Sequence, residues 1–402
     1  MRRTKIARLR NIVRRRMLAL ACFCVLFVPV AVSGQEAPAI DVAARSALLM
    51  EASTGKVLLE NNAYEKLPPA SITKVMTLLL VYEALAEGRI KHDDMVTVSH
   101  HAAGMGGSQI FLEPMQQKSV NDLLKSVVIA SANDASVALA EFIAGSEDGF
   151  VVMMNNRAKE LGMKDTNFVN ACGLDADGHM SSAYDVALMS RELINSHPEV
   201  FEFSTIWMDT ITHRTARGEE EFGLNNTNRL IRSYSGATGL KTGSTSKALY
   251  CITATATRDD MSLISVVMAA PDPATRFGEA MKMLDYGFAN FAVALGETEG
   301  TAMGSVAIVK GEIESAEVVV KDQVGFLVGK GKSKQMDNKV EIFGAIQAPS
   351  VAGSKAGEVI YFQDGKEVGR SDLVTTQDIA KASLYDIIGR IARDALKANP
   401  KE

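Results

Sequence analysis

Between residue 41 and about residue 290, short apolar runs alternate with stretches of helical periodicity; beyond about residue 300 only short alternating runs remain. Arg45–Glu51 and Lys56–Glu60 flank Thr54-Gly55, which predicts a hairpin with a buried first strand. After Pro68-Pro69, where a missing N–H costs a helix nothing, Ile72, Val75, Leu78, Leu79 and Tyr82 recur at helical spacing. Val120 to Phe142 reads as a helix interrupted at Ser131-Ala132-Asn133-Asp134, with Asn and Asp expected to cap a second helix through Ala135, Leu139 and Phe142. Met261–Met268 reads as a core strand and Thr275–Phe291 as the helix behind it.

Past residue 300, the runs Ala316–Lys321, Val324–Val328, Lys339–Ile346 and Glu358–Gln363, separated by Gly, Lys and Asp turns, predict a small all-β domain. A last helix is expected after Thr375, with Leu384, Ile387, Ile388, Ile391 and Ala395 on one side and charges elsewhere. Its mixed charges and lack of Trp or Phe leave three readings level: contact with a membrane surface, with a partner, or with the β domain.

The first 16 residues change the picture of where the chain resides. They hold eight Arg or Lys and no acid, and an apolar run from Met17 to Val32 follows, then Ser33-Gly34-Gln35. This reads as a secretory signal peptide over residues 1–34, cleaved near Ala31-Val32-Ser33. A lipoprotein attachment at Cys22 is a poor fit, because Ala19-Leu20-Ala21 lacks the expected order. Loss of the eight cations takes the net charge from −5 to −13, which argues against a nucleic-acid partner. Only Cys172 and Cys251 then remain, either as one bridge or as two packed thiols.

Candidate chemistry begins with Ser71 and Lys74. Residues i and i+3 share a helix face, so the lysine, if desolvated, can act as general base toward the hydroxyl. Ser131 and Asn133 place a hydroxyl and an amide together at the helix break. Gly236 to Ser244 then sets Lys241 on a strand, with Gly243 expected to let a ligand backbone approach closely. Each of these has a bland alternative: a helix start, a cap, and a hairpin with a solvated lysine. Their order and spacing are specific, because Ser-x-x-Lys, Ser-x-Asn and Lys-Thr-Gly together form the set of serine β-lactamases and penicillin-binding proteins.

The chain resembles the D-alanyl-D-alanine carboxypeptidases of the low-molecular-weight penicillin-binding protein family. The resemblance rests on Pro69–Thr77, Ser131–Ala135, Met153-Met154-Asn155, Leu161-Gly162-Met163, Gly173-Leu174-Asp175 and Thr238–Gly243, in family order. It implies an α+β fold: a β-lactamase/transpeptidase-like catalytic domain over 40–292, an antiparallel sheet with flanking helices and a helical subdomain. A small β-sandwich over 298–373 and an amphipathic helix over 376–398 would follow. It also implies Ser71 as nucleophile, Lys74 as base, Ser131 as proton relay, and Asn133, Lys241, Thr242 and Gly243 as substrate-binding residues. Backbone N–H groups of Ser71 and Ser244 would form the oxyanion hole, where relatives can carry histidine at 244. The implied substrate is a peptidoglycan stem peptide, β-lactams would be covalent inhibitors, and no cofactor or metal is needed.

The six histidines fit no metal motif, and His100, His101 and His179 read as surface or loop residues, which disfavours a zinc peptidase. A class A β-lactamase would need Glu-x-x-Leu-Asn between the second and third motifs; Glu192-Leu193-Ile194-Asn195 is one residue short and reads as a helix-end surface glutamate. A non-catalytic envelope scaffold would not need Ser71, Lys74, Ser131 and Lys241 together.

Overall fold

The computed structural model describes residues 41–215, 218–331 and 336–397, so the expected signal peptide lies outside the described residues. Five antiparallel strands form the central sheet, in the order Val57–Asn61, Ser46–Glu51, Met261–Ala270, Leu249–Arg258, Ala237–Thr245. The hairpin around Thr54-Gly55 is present, with Gly55 at φ 70°, a conformation glycine adopts without a Cβ penalty.

Strand parity explains how the sheet is covered. Successive side chains face opposite sides, so Leu49, Leu263 and Val267 pack with Phe277, Met283 and Leu284 of the helix Pro273–Asn290. Leu48, Met50, Ile264, Val266 and Met268 point the other way, into a larger core shared with Val75, Leu79 and Tyr82. The Met261–Ala270 strand is therefore apolar on both faces, and only Ser262 is not buried.

The larger core is completed by helices Lys74–Ala86, Val120–Ile129, Asn133–Ala144, Glu147–Glu160 and Ala183–Ser196. Ser119, Ser146 and Ser182 start three of them by accepting the N–H groups of Asp122, Gly149 and Asp185. Lys74–Ala86 is buried around nearly its whole circumference, which carries its first residue into the protein interior. The break between Ile129 and Asn133 falls where expected, but its capping differs. The N-cap position is Ala132, which makes no side-chain cap bond; Asn133 directs its side chain to Lys74, and Asp134 accepts the N–H of Ala135 in the first turn as well as that of Ile110.

The C-terminal β domain is a six-stranded sheet in the order Asp337–Ile342, Lys355–Gln363, Lys366–Thr375, Ser315–Val320, Ala302–Val309, Ile346–Gln347. The Gly325–Gly329 strand pairs instead with Phe291–Leu295, and its Phe326 ring lies 5.0 Å from that of Tyr361. The last helix spans Leu384–Lys397, so it begins eight residues later than the expected 376. Ser383 and Asp386 form a reciprocal cap that fixes this start, and Ile379, buried just before it, pairs with Ser350 of the β domain. Leu384, Tyr385, Ile387, Ile388 and Ile391 are exposed, while Arg390 donates to the Gly311 carbonyl at 2.6 Å.

Candidate active site

Ser71 lies in the tight 3-10 turn Ala70–Thr73, and Lys74 opens the α-helix that follows, so the pair straddles a junction between two helix types. Lys74 is fully buried, and its Nζ reaches Ser71 Oγ at 3.0 Å, Asn133 Oδ1 at 2.6 Å and the Cys172 carbonyl at 2.6 Å. The amide oxygen and the carbonyl can only accept, so they claim two N–H groups and leave the third tetrahedral position of the nitrogen facing Ser71. In the neutral amine that position is a lone pair aimed at the hydroxyl proton. Burial pushes the Lys74 pKa down to about 8, opposed by the fields of Cys172 and Asp134.

Asn133 is itself fixed. Its Nδ2 donates to the Gly106 carbonyl at 2.6 Å and its backbone N–H to Ser108 O at 2.7 Å, which turns Oδ1 toward Lys74. Asp134 beside it accepts the N–H groups of Ile110 and Leu112, holding the loop over the site. Ser131 occupies the helix break with φ 61° and is almost buried.

The strand Ala237–Thr245 forms the opposite wall. A β-carbon at Gly243 would stand 2.8 Å from Ser71 N, so the strand packs directly on the turn that carries Ser71. Lys241 was weighed as a solvated lysine and is in fact buried, its Nζ donating to the Thr242 carbonyl at 3.1 Å. Burial drives its pKa well below the ordinary lysine value, and the charges of Lys74 and Arg276 add to the effect. Such a cation gains most from an incoming anion. Thr242 Oγ1 donates to Thr227 Oγ1 at 2.7 Å, and Ser244 is exposed at the end of the wall.

Three contributors escaped the sequence reading. Arg276, on the helix behind the sheet, reaches the Gly243 and Cys251 carbonyls at 3.3 and 3.4 Å and leaves its buried Nε without a partner. Cys172 acts through its carbonyl, which no residue-type motif can show; Asn170 Oδ1 shapes the turn there by accepting Cys172 N and Gly173 N. His179, read as a surface or loop histidine, is buried, with Nε2 2.8 Å from Thr73 Oγ1. Among the other residues weighed, Glu192 pairs with Arg157 at 2.6 Å, and Cys172 and Cys251 are free, buried thiols.

A hydroxyl facing the amine of a buried lysine, beside a strand that presents a second buried lysine, defines a serine hydrolase of the Ser-Lys type. Residues 31–272 match the family described as D-alanyl-D-alanine carboxypeptidase, and residues 298–381 match the C-terminal domain of penicillin-binding protein 5. The chain belongs to the D-alanyl-D-alanine carboxypeptidase family, among the low-molecular-weight penicillin-binding proteins, and is a serine-type peptidase of cell-wall metabolism. D-alanyl-D-alanine carboxypeptidase DacF of Bacillus subtilis is 41% identical over 355 residues, covering 88% of this chain and 90% of the relative. Penicillin-binding protein 5 of Haemophilus influenzae superposes with a TM-score of 0.70 at 32% identity, covering 85% of this chain and 99% of that one. Penicillin-binding protein D2 of Listeria monocytogenes, solved in an ampicillin-bound form, superposes with a TM-score of 0.52 at 35% identity, covering 62% and 99%. Among the described residues no helix is long and apolar enough to cross a membrane.

Proposed function

We propose that Ser71 attacks the carbonyl of the penultimate D-alanine of a peptidoglycan stem pentapeptide, releasing the terminal D-alanine and leaving an acyl-enzyme that water hydrolyses. The observation that carries this reading is the three-way grip on Lys74 Nζ by Asn133, Cys172 and Ser71. Lys74 takes the hydroxyl proton, and Ser131 passes a proton to the departing amine. The N–H groups of Ser71 and Ser244 receive the developing oxyanion, each contributing about 3 kcal/mol. Lys241, with Thr242 and Gly243 on the same strand, binds the substrate's free carboxylate, and Asn133 holds the lysine. A β-lactam enters the same path and stalls as the acyl-enzyme. Glu192, engaged by Arg157, does not serve as the water-positioning glutamate of a β-lactamase.

Residues 1–34 act as the export leader, residues 40–292 carry the reaction, and residues 298–373 form a separate β domain. The enzyme then works in the cell envelope, in the periplasm or at the outer face of the cytoplasmic membrane, and the exposed Leu384, Ile387, Ile388 and Ile391 give it peripheral membrane contact. The exported chain, incubated with a pentapeptide ending in D-Ala-D-Ala, is expected to release D-alanine in a penicillin-sensitive way. Ser71→Ala is expected to lose all covalent labelling by a fluorescent penicillin; persistent labelling would place the nucleophile elsewhere.

A further inference from the structure

His179 lies beneath the nucleophile turn and belongs to none of the three motifs. Its Nδ1 accepts the backbone N–H of Val169 at 3.0 Å, so that nitrogen carries no proton. The single proton of the neutral ring is therefore on Nε2, which donates to Thr73 Oγ1 at 2.8 Å. Burial keeps the ring neutral by pushing its pKa down to about 4, against a smaller opposing field from Asp175. The ring is also held edge to face against Phe168, whose backbone is fixed at both N–H and C=O by the Asn155 side chain.

The two ends of this bridge touch the two pieces that grip Lys74. Thr73 is the last residue of the Ser71 turn and directly precedes Lys74. Val169 starts the segment that runs through Asn170 and Ala171 to Cys172, whose carbonyl accepts from Lys74 Nζ. The segment meets the turn again at Gly173, where a β-carbon would overlap the Ala70 carbonyl.

We propose that His179 is a positioning residue for acylation: by bonding Thr73 on one side and Val169 on the other, it sets the distance between the Ser71 turn and the Cys172 carbonyl, and so aims Lys74 at Ser71. This inference rests on Ser71 and Lys74 being nucleophile and base. His179 touches no reacting atom, so its loss acts on the acylation step and not on substrate capture.

Stopped-flow acylation of the purified enzyme by a fluorescent penicillin separates the dissociation constant of the first complex from the limiting acylation rate. His179→Leu is expected to lower that rate about 10- to 100-fold, the effect of misaligning a reacting pair. The first dissociation constant should stay within about threefold. His179→Gln, which again offers one acceptor and one donor, is expected to restore most of the rate. Thr73→Val should reproduce the His179→Leu loss, and the double variant should be no slower than the slower single, since both remove one contact. If His179→Leu does not fold, the near-isosteric Thr73→Val carries the test. Wild-type acylation by Thr73→Val or by a folded His179→Leu overturns the proposal, as does a double loss equal to the product of the single losses or a loss confined to the dissociation constant. Labelling of Ser71→Ala would instead remove the reading on which the proposal rests.

Discussion

Gly243 faces Ser71 so closely that a β-carbon at 243 would stand 2.8 Å from the Ser71 nitrogen, 3.0 Å from Ala70 Cβ and 3.0 Å from the Ile72 nitrogen. The Lys-Thr-Gly strand and the nucleophile turn therefore meet backbone to backbone, and the spacing of the Ser71 and Ser244 N–H groups depends on a side chain that is absent. Gly243→Ala should cost about 1–3 kcal/mol by overpacking. It should slow acylation about 100-fold by spreading the two donors. Thermal melting and acylation kinetics on one preparation check both, and wild-type acylation by the variant would contradict the assignment.

As the proposed base, Lys74 acts only when neutral, and burial brings its pKa from 10.5 to about 8. The second-order rate constant of acylation, kcat/KM at low peptide, reports the free enzyme and should accordingly rise with pH and reach half its plateau near 8. A rate independent of pH between 6 and 9 would exclude Lys74 as the group that takes the serine proton.

Burial and the charges of Lys74 and Arg276 disfavour the charged form of Lys241, and a carboxylate bound beside it favours that form again. Lys241→Ala should reduce kcat/KM for a peptide with a free C-terminal carboxylate about 10- to 100-fold, the strength of a charge-assisted bond. The matched C-terminal amide should change far less. Equal losses on both peptides would refute a role in carboxylate recognition.

The His179 imidazole makes stability depend on acid. Its pKa is about 4 folded and 6.5 in the unfolded chain, so between these values the unfolded state binds the extra proton and stability falls as pH falls. The contribution is fully present above 6.5, and about 3 kcal/mol is withdrawn by pH 4. Urea denaturation at pH 7, 5.5 and 4.5 should show this slope in the parent chain and a shallower one in His179→Gln.

Ser71, Lys74, Asn133 and Lys241 were legible because their chemistry depends on side chains at fixed spacing, and the sheet because Met261–Ala270 is apolar on both faces. Legibility failed where the backbone or a distant element acts. Cys172 contributes a carbonyl, Arg276 reaches the strand from behind the sheet, and His179 looks polar because Asp177 and Gly178 just before it are exposed, although its own side chain turns inward. The start of the last helix was set too early because the segment just before it belongs to the β domain: Ile379 is buried in that domain's core and pairs with Ser350.

The grip of Cys172 on Lys74 also bears on sequence drift. Because the main chain supplies the acceptor, and Asn170 holds that main chain by bonding the N–H groups of Cys172 and Gly173, the thiol has no part in the bond. Position 172 is thus free to accept any small uncharged side chain that fills the same space, whereas Asn170 and Gly173, which touch neither Ser71 Oγ nor Lys74 Nζ, tolerate little. A saturation library scored for penicillin labelling should therefore show a permissive site flanked by two intolerant ones.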